Sequence, residues 1–373
     1  MWPFGKKTQA EARPALGRVG VPLLGTWPGN YDQQLRDALT TNPVAQRAVR
    51  LVVEGCVAAP LYGDGPQGEA IAALARGVVE AAAAHLLLHG NAFLQIGTDA
   101  DGLPAALWAL RPERVTVEPG ANGWPVAYRY RAGETLSRIP AEDGAGRPGL
   151  IHVRGLGPGD DHYGLGCLAP AMGAVAIHNA ATRWNKALLD NAARPSGALV
   201  YDPGEPGAAL SPEQFDRLRG ELEASFGGAA NAGRPMLLEG GLKWQTLSLS
   251  PADMDFIGLK AAAARDIALA FGVPPMLLGL PGDNTYANYA EANRALWRQT
   301  ILPMIGRLVD AINHGLRAWW PEARAAIDLD GVPALYADRG VLWAQVSAAD
   351  FLTVNEKREM LGFGPMEAGN NAG

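Results

Sequence analysis

The chain has 373 residues and a mass of 39.3 kDa, long enough to bury a sizeable core and to divide into two or three domains. Hydrophobic residues make up 48% and charged residues 19%, the balance of an ordinary folded soluble protein. A formal charge of −6 lacks the basic excess usual in a protein that grips nucleic acid tightly.

Residues 1–30, rich in Pro and Gly, read as a flexible arm without the apolar core of a signal peptide. The first helix starts at Thr41-Asn42-Pro43, where Thr41 or Asn42 caps and Pro43 takes the first helical position. Val44, Ala48, Val49, Val52, Val53, Cys56 and Val57 then form one apolar stripe. A second helix is expected over about 69–89, ending at Gly90. Its apolar run at 81–88 is too short to span a bilayer and carries His85. The protein is expected to be soluble and intracellular when made, with no membrane partner. Cys56 and Cys167 sit among apolar or small neighbours with no CxxC spacing, so they read as buried free thiols.

From Asn91 the period changes to two. FLQIG, LWAL, VTVEP, AYRYRAG and LIHVRG are short strands between turns, which predicts an antiparallel meander attached to helices and an α+β fold class. A long helix follows to about Asn191, and then ARPSGALVY, a strand broken by Pro. SPEQFDRLRGELEASF, 211–226, is a helix with a Ser cap and Pro at its first position. RPMLLEGGLKWQTLSLS supplies two more strands, and a second long helix spans about 252–271. The next helix, about 287–318, contains Pro303, which removes a backbone donor and crowds the carbonyl four residues earlier, so a kink is expected near 299–303. AIDLD and ALYAD read as strands, 341–361 as a last helical segment, and PMEAGNNAG as a disordered tail.

Motifs with catalytic spacing are absent. GLGCLA, 164–169, matches a dinucleotide fingerprint only in letters, because DDHY rather than a strand precedes it. There is no P-loop, no GxSxG elbow and no HExxH. His85 and His89 have the i, i+4 spacing of two metal ligands without an acidic partner on that face, so packing histidines are the better reading. Asp160-Asp161-His162 reads as a helix-capping loop before it reads as an acid–base or metal cluster. The alternation Tyr128-Arg129-Tyr130-Arg131 suits either nucleic acid or an exposed sheet face. No cofactor, metal site or catalytic residue is expected.

Several stretches together resemble the portal proteins of long-tailed, siphovirus-type bacteriophages and of phage-like gene transfer agents. They are NPVAQRAVRLVVEGCVAAPL, HGNAFLQI, LRPERVTV, LIHVRG, DHYGLGCLAPA, ARPSGAL, LSPEQFDRL, RDIALAFGVPPMLLG, NTYANYAEANRALWRQTILPMI and NEKREMLGFGP, in the expected order through nearly the whole chain. The run 265–305 is the most specific. The compact length and Ala/Arg-rich composition lean toward the gene transfer agent branch.

The resemblance implies a phage portal fold of wing, stem, clip and small crown, assembled into a ring of usually twelve copies at one capsid vertex of a virion. Double-stranded DNA would pass through the ring. The large terminase, major capsid protein and head–tail adaptor would be its partners, and the chain would be made in the host cytoplasm. By this analogy 1–24 is the arm, 25–167 the wing, 168–192 the first stem helix, 193–251 the clip and 252–271 the second stem helix. A tunnel loop would occupy 272–286, with a kinked helix and return strands of the wing over 287–337 and a short crown and tail over 338–373.

In the tunnel loop Gly272, Pro274 and Pro275 form a stiff elbow. Met276, Leu277, Leu278, Gly279 and Leu280 project an apolar stretch, and Pro281, Gly282, Asp283 and Asn284 turn it back toward the helix that holds Pro303. Repeated around a ring, apolar and short polar groups that form few phosphate ion pairs would let a duplex slide. The competing reading is a soluble α+β enzyme with 272–290 as a lid over Asp160–His162.

Overall fold

The computed structural model describes residues 30–190, 197–201, 242–246, 256–280 and 286–362, with 364, 366 and part of 211–220 besides. The expected arm over 1–24, the strand at RPMLL and the tail apart from Met366 lie outside the described residues.

Helix α1 (Tyr31–Leu35) runs into a π-helical turn over Arg36–Thr40. At the start of α2 (Pro43–Ala58), Asn42 Oδ1 accepts from the backbone N–H groups of Val44 and Ala45 at 3.1 and 3.0 Å. The buried face of α2 follows the expected stripe at Ala48, Val49, Val52, Val53 and Cys56, but Val57 is 49% exposed. After β1 (Leu61–Gly63), α3 (Gly65–His89) begins four residues earlier than expected, and Gly90 stops it with φ 84°. This 25-residue helix is long and apolar enough to cross a membrane by length and composition. Here it is the axis of the main core, with Ile71, Ala75, Val78, Ala82, Leu86 and Leu87 buried.

The strands form two sheets rather than one meander. β2 (Asn91–Thr98) pairs antiparallel with β3 (Pro104–Leu110) on one side and with β7 (Leu150–Arg154) on the other. β4 (Val115–Pro119), β5 (Pro125–Ala132) and β6 (Thr135–Pro140) make the second sheet, also antiparallel. Periodicity missed β6 because only Ile139 of its six residues is buried. Phe93, on the central strand of the first sheet, packs with Leu110, Val115, Val117, Tyr128, Ile139 and Leu150 in a second, smaller core.

Helix α4 (Leu168–Asp190) leads to β8 (Gly197–Tyr201), which pairs antiparallel with β9 (Leu242–Thr246). Between them lies α5, described in part over 213–220, where Ser211 Oγ accepts from the N–H of Gln214 at 3.2 Å. Helix α6 (Phe256–Ala270) packs along α4. The long helix expected next runs unbroken over Tyr286–Leu316, its α-helical register interrupted only by a π-helical turn over Trp297–Ile301 between α7 (Tyr286–Leu296) and α8 (Leu302–Leu316), whose Ile305, Leu308, Val309 and Ile312 face the main core. β10 (Ala325–Ile327) closes the domain by pairing antiparallel with β1.

ALYAD is not a strand. Its residues enter a 3₁₀ turn (Pro333–Leu335) and the first turn of α9 (Tyr336–Ala348), with Pro333 in the position where a missing N–H costs nothing. The single expected terminal helix is divided, since α10 (Val354–Met360) starts anew at a capping box between Thr353 and Glu356.

Candidate functional site: the elbow and the interrupted helix

Helix α6 ends in a Schellman motif that its last residues dictate. The N–H of Val273 reaches the carbonyl of Ala268 at 2.9 Å, and the N–H of Gly272 that of Leu269 at 3.0 Å. Gly272 supplies the required left-handed conformation, φ 65°, and Val273 and Ala268 are both buried beside it. Pro274 is extended, and Pro275 opens a 3₁₀ turn over Pro275–Leu278 that closes at Gly279, φ 72°.

The expected loop residues do not share one environment. Leu277 and Leu278 are half-buried against the main core, while Gly279 is exposed. Met276 and Leu280 are half-buried, and Leu280 walls a cleft between α4 and α6. Pro281, Gly282, Asp283 and Asn284 lie outside the described residues.

Pro303 sits in the first turn of α8, and the helix changes register just before it. The N–H of Leu302 bonds to the carbonyl of Trp297, five residues back, which widens the turn ahead of the proline ring. This turn is held from two sides. Thr300 Oγ1 donates to the carbonyl of Gly272 at 2.7 Å. On the other side Ile301 is buried against α2, where a Cβ added to Gly55 would stand 2.3 Å from Ile301 Cδ1. Elbow and helix interruption, distant in sequence, therefore form one unit. The sequence carried no signal for Thr300, because a threonine near a proline has many uses.

A second set of residues ties α4 to the start of α2. Asn42 Nδ2 donates to Asn179 Oδ1 at 3.0 Å and lies 3.2 Å from His178 Nδ1; Asn179 Nδ2 donates to the Asp37 carbonyl and to Thr41 Oγ1. All three side chains are buried. Of these three residues capping chemistry pointed only to Asn42, as an alternative to Thr41.

Several of the remaining candidates have structural tasks. Asp160 Oδ1 accepts from the N–H groups of His162 and Tyr163, closing a local turn. His89 packs edge-on against Tyr31 at 5.1 Å, and burial lowers its pKa to about 4; burial, with Arg111 second, does the same to His85. His152 stacks on Phe93 at 4.2 Å, with Nε2 3.1 Å from Asn91 Oδ1. Burial lifts the Cys56 thiol to about 12, leaving it inert. Among the described residues no group of three or more His, Cys, Asp or Glu is placed to hold a metal.

A family model described as phage portal protein matches residues 75–362, more than half of the chain. The chain belongs to this family. A solved structure of the neck of a native gene transfer agent (GTA) particle, computed with C12 symmetry, contains a chain 45% identical to it, with a TM-score of 0.68 over 91% of this chain and 95% of that one. An uncharacterized protein of Rickettsia felis is 41% identical over 285 residues, 76% of this chain and 73% of that protein. The portal protein of Enterobacteria phage HK97 is 23% identical over 298 residues, 79% of this chain and 67% of the phage protein. The fold is thus the α+β portal fold.

Proposed function

We propose that twelve copies of this chain form a ring at one vertex of a phage-like capsid, and that double-stranded DNA enters and leaves through its axis. The observation that carries this reading is 45% identity, over 91% of the chain, to a chain in the neck of a GTA particle computed with C12 symmetry. The protein is then a structural component of the particle rather than a catalyst. In this reading 25–167 and 287–337 form the wing, α4 and α6 lie in the stem segments 168–192 and 252–271, and 193–251 is the clip outside the capsid. Residues 338–373 make the short crown.

The tunnel loop, 272–286, is the part that meets DNA. Leu277 and Leu278 pack against the main core, which leaves Met276, Gly279, Leu280 and 281–284 as the DNA-facing groups; these are apolar or short and polar, with one acidic side chain, Asp283, and no cation. Such a surface forms no ion pairs with phosphates, so a passing duplex finds no deep minimum in which to stop. The Schellman stop at Gly272 and the two prolines set the angle at which the loop leaves α6, and the Thr300 bond fixes that elbow to the interrupted helix. The clip offers the docking surface for the large terminase during packaging and for the head–tail adaptor afterwards, while the wing contacts the major capsid protein. Particles assembled without this chain test the reading: they are expected to contain no DNA, and normal DNA content would overturn it.

A further inference from the structure

A cleft of about 220 Å³ opens between α4 and α6 beside the elbow. His178 and Asn185 of α4, Lys260, Ala264 and Arg265 of α6, and Leu280 line it. His178 and Asn185 are seven residues apart, and Lys260 and Ala264 four, so the two helices present these groups to one space. Among the described residues no carboxylate lines the cleft, and Lys260 has no acidic partner there.

The hydrogen bonds of Asn42 settle what His178 offers. Asn42 Oδ1 is occupied by the N–H groups of Val44 and Ala45, so the amide atom 3.2 Å from His178 Nδ1 is the donor Nδ2. Nδ1 therefore accepts, and the ring proton resides on Nε2. Burial first, and the positive Lys260 second, lower the pKa of this imidazole, so it is neutral at pH 7. The cleft thus combines two permanent cations, a fixed N–H donor and a side-chain amide, against apolar walls of Ala264 and Leu280.

We propose that this cleft binds a phosphate group, with Lys260 and Arg265 supplying charge and His178 Nε2–H and the Asn185 amide supplying directed hydrogen bonds. Its volume is below the roughly 300–1,000 Å³ of sites for drug-sized ligands, which suits one tetrahedral oxyanion. The phosphate has two possible sources, the free ion and a DNA backbone.

Equilibrium dialysis of the full chain with radiolabelled inorganic phosphate, in chloride buffer at constant ionic strength, tests the proposal. One saturable site per chain is expected, with affinity reduced at least tenfold by Lys260→Met and largely retained by Lys260→Arg. Arg265→Gln, at an exposed position, is expected to weaken binding several-fold and guards against a folding defect in the first variant. Displacement of the label by a short duplex oligonucleotide identifies backbone phosphate as the ligand; retention of the label identifies the free ion. Absence of saturable binding, or binding unchanged in both Lys260→Met and Arg265→Gln, overturns the proposal. The cleft is formed within one chain, so this result reads independently of whether the chain forms a ring.

Discussion

Thr300 Oγ1 donates to the carbonyl of Gly272 at 2.7 Å, joining the end of α6 to the π-helical turn that precedes Pro303. Gly272 stands at φ 65°, and a Cβ there would lie 2.8 Å from the same Thr300 oxygen. Gly272→Ala should therefore cost about 1–2 kcal/mol for the left-handed backbone, plus displacement of Thr300. Thr300→Val, which loses the bond and keeps the shape, should cost about 1 kcal/mol. Urea unfolding midpoints measure both. An unchanged midpoint for Gly272→Ala would remove the elbow from the account.

Asn42 carries more than a helix cap. It satisfies two backbone donors at the start of α2 and bonds Asn179 and His178 of α4. Asn42→Ala leaves these groups buried without partners, so the expected loss is about 2–4 kcal/mol, above the ~1 kcal/mol of an exposed cap. A loss no larger than that of an exposed cap would show that the link to α4 is energetically idle.

Acid should weaken the fold through its buried imidazoles. Burial lowers His89 to about 4, with His85 adding to it, and lowers His152 to about 3, with Arg154, His162 and His89 adding. Both are neutral when folded, whereas the unfolded chain takes up protons below about 6.5. The unfolded state binds more protons in this window, so stability rises with pH between 4 and 6.5 and is lost as pH falls. At pH 5 the loss should be about 1–2 kcal/mol per histidine, relative to pH 8. His152→Phe, which preserves a ring stacked on Phe93, should flatten the dependence of the urea midpoint on pH. A slope equal to that of the unmodified chain would place the acid sensitivity elsewhere.

Much of this fold was legible because local chemistry and tertiary demand agree. Asn42-Pro43 and Gly90 mark helix ends by capping and by φ, and the stripe of α2 is its buried face except at Val57. The division into two sheets was not legible. β7 could continue the ladder beyond β6 or return to β2, and alternation alone is the same for both; the pairing with β2 places Ile151 and Val153 in the main core. The exposed β6 lacks an apolar rhythm, and ALYAD has residues that suit either a strand or the helix that forms. For the site, the prolines and glycines of the elbow were readable as turn chemistry. Thr300 and the trio of Asn42, His178 and Asn179 were not, since the last joins residues 136 positions apart.

The loop residues should separate into two groups on substitution. Leu277 and Leu278 pack against the main core, so an Asp at either should destabilise the chain by about 2 kcal/mol or more. Met276→Asp with Leu280→Asp should leave stability and ring assembly near normal and lower the DNA content of particles. Unchanged DNA content in particles carrying the second pair would contradict the proposed role of the loop.

Removal of 196–248, which takes out the paired strands β8 and β9, should abolish terminase docking while the wing still folds. Terminase retained by this deletion in a pull-down would show that the clip lies elsewhere.

The most direct test of the central claim is electron microscopy of the purified chain together with its mass in solution. Twelve chains of 39.3 kDa amount to about 472 kDa, and the account predicts a ring of that mass with an axial hole wide enough for duplex DNA. If the isolated chain is a monomer, the same ring is predicted at one vertex of whole particles. A compact dimer without a hole, or particles with no ring of this chain at a vertex, would contradict it.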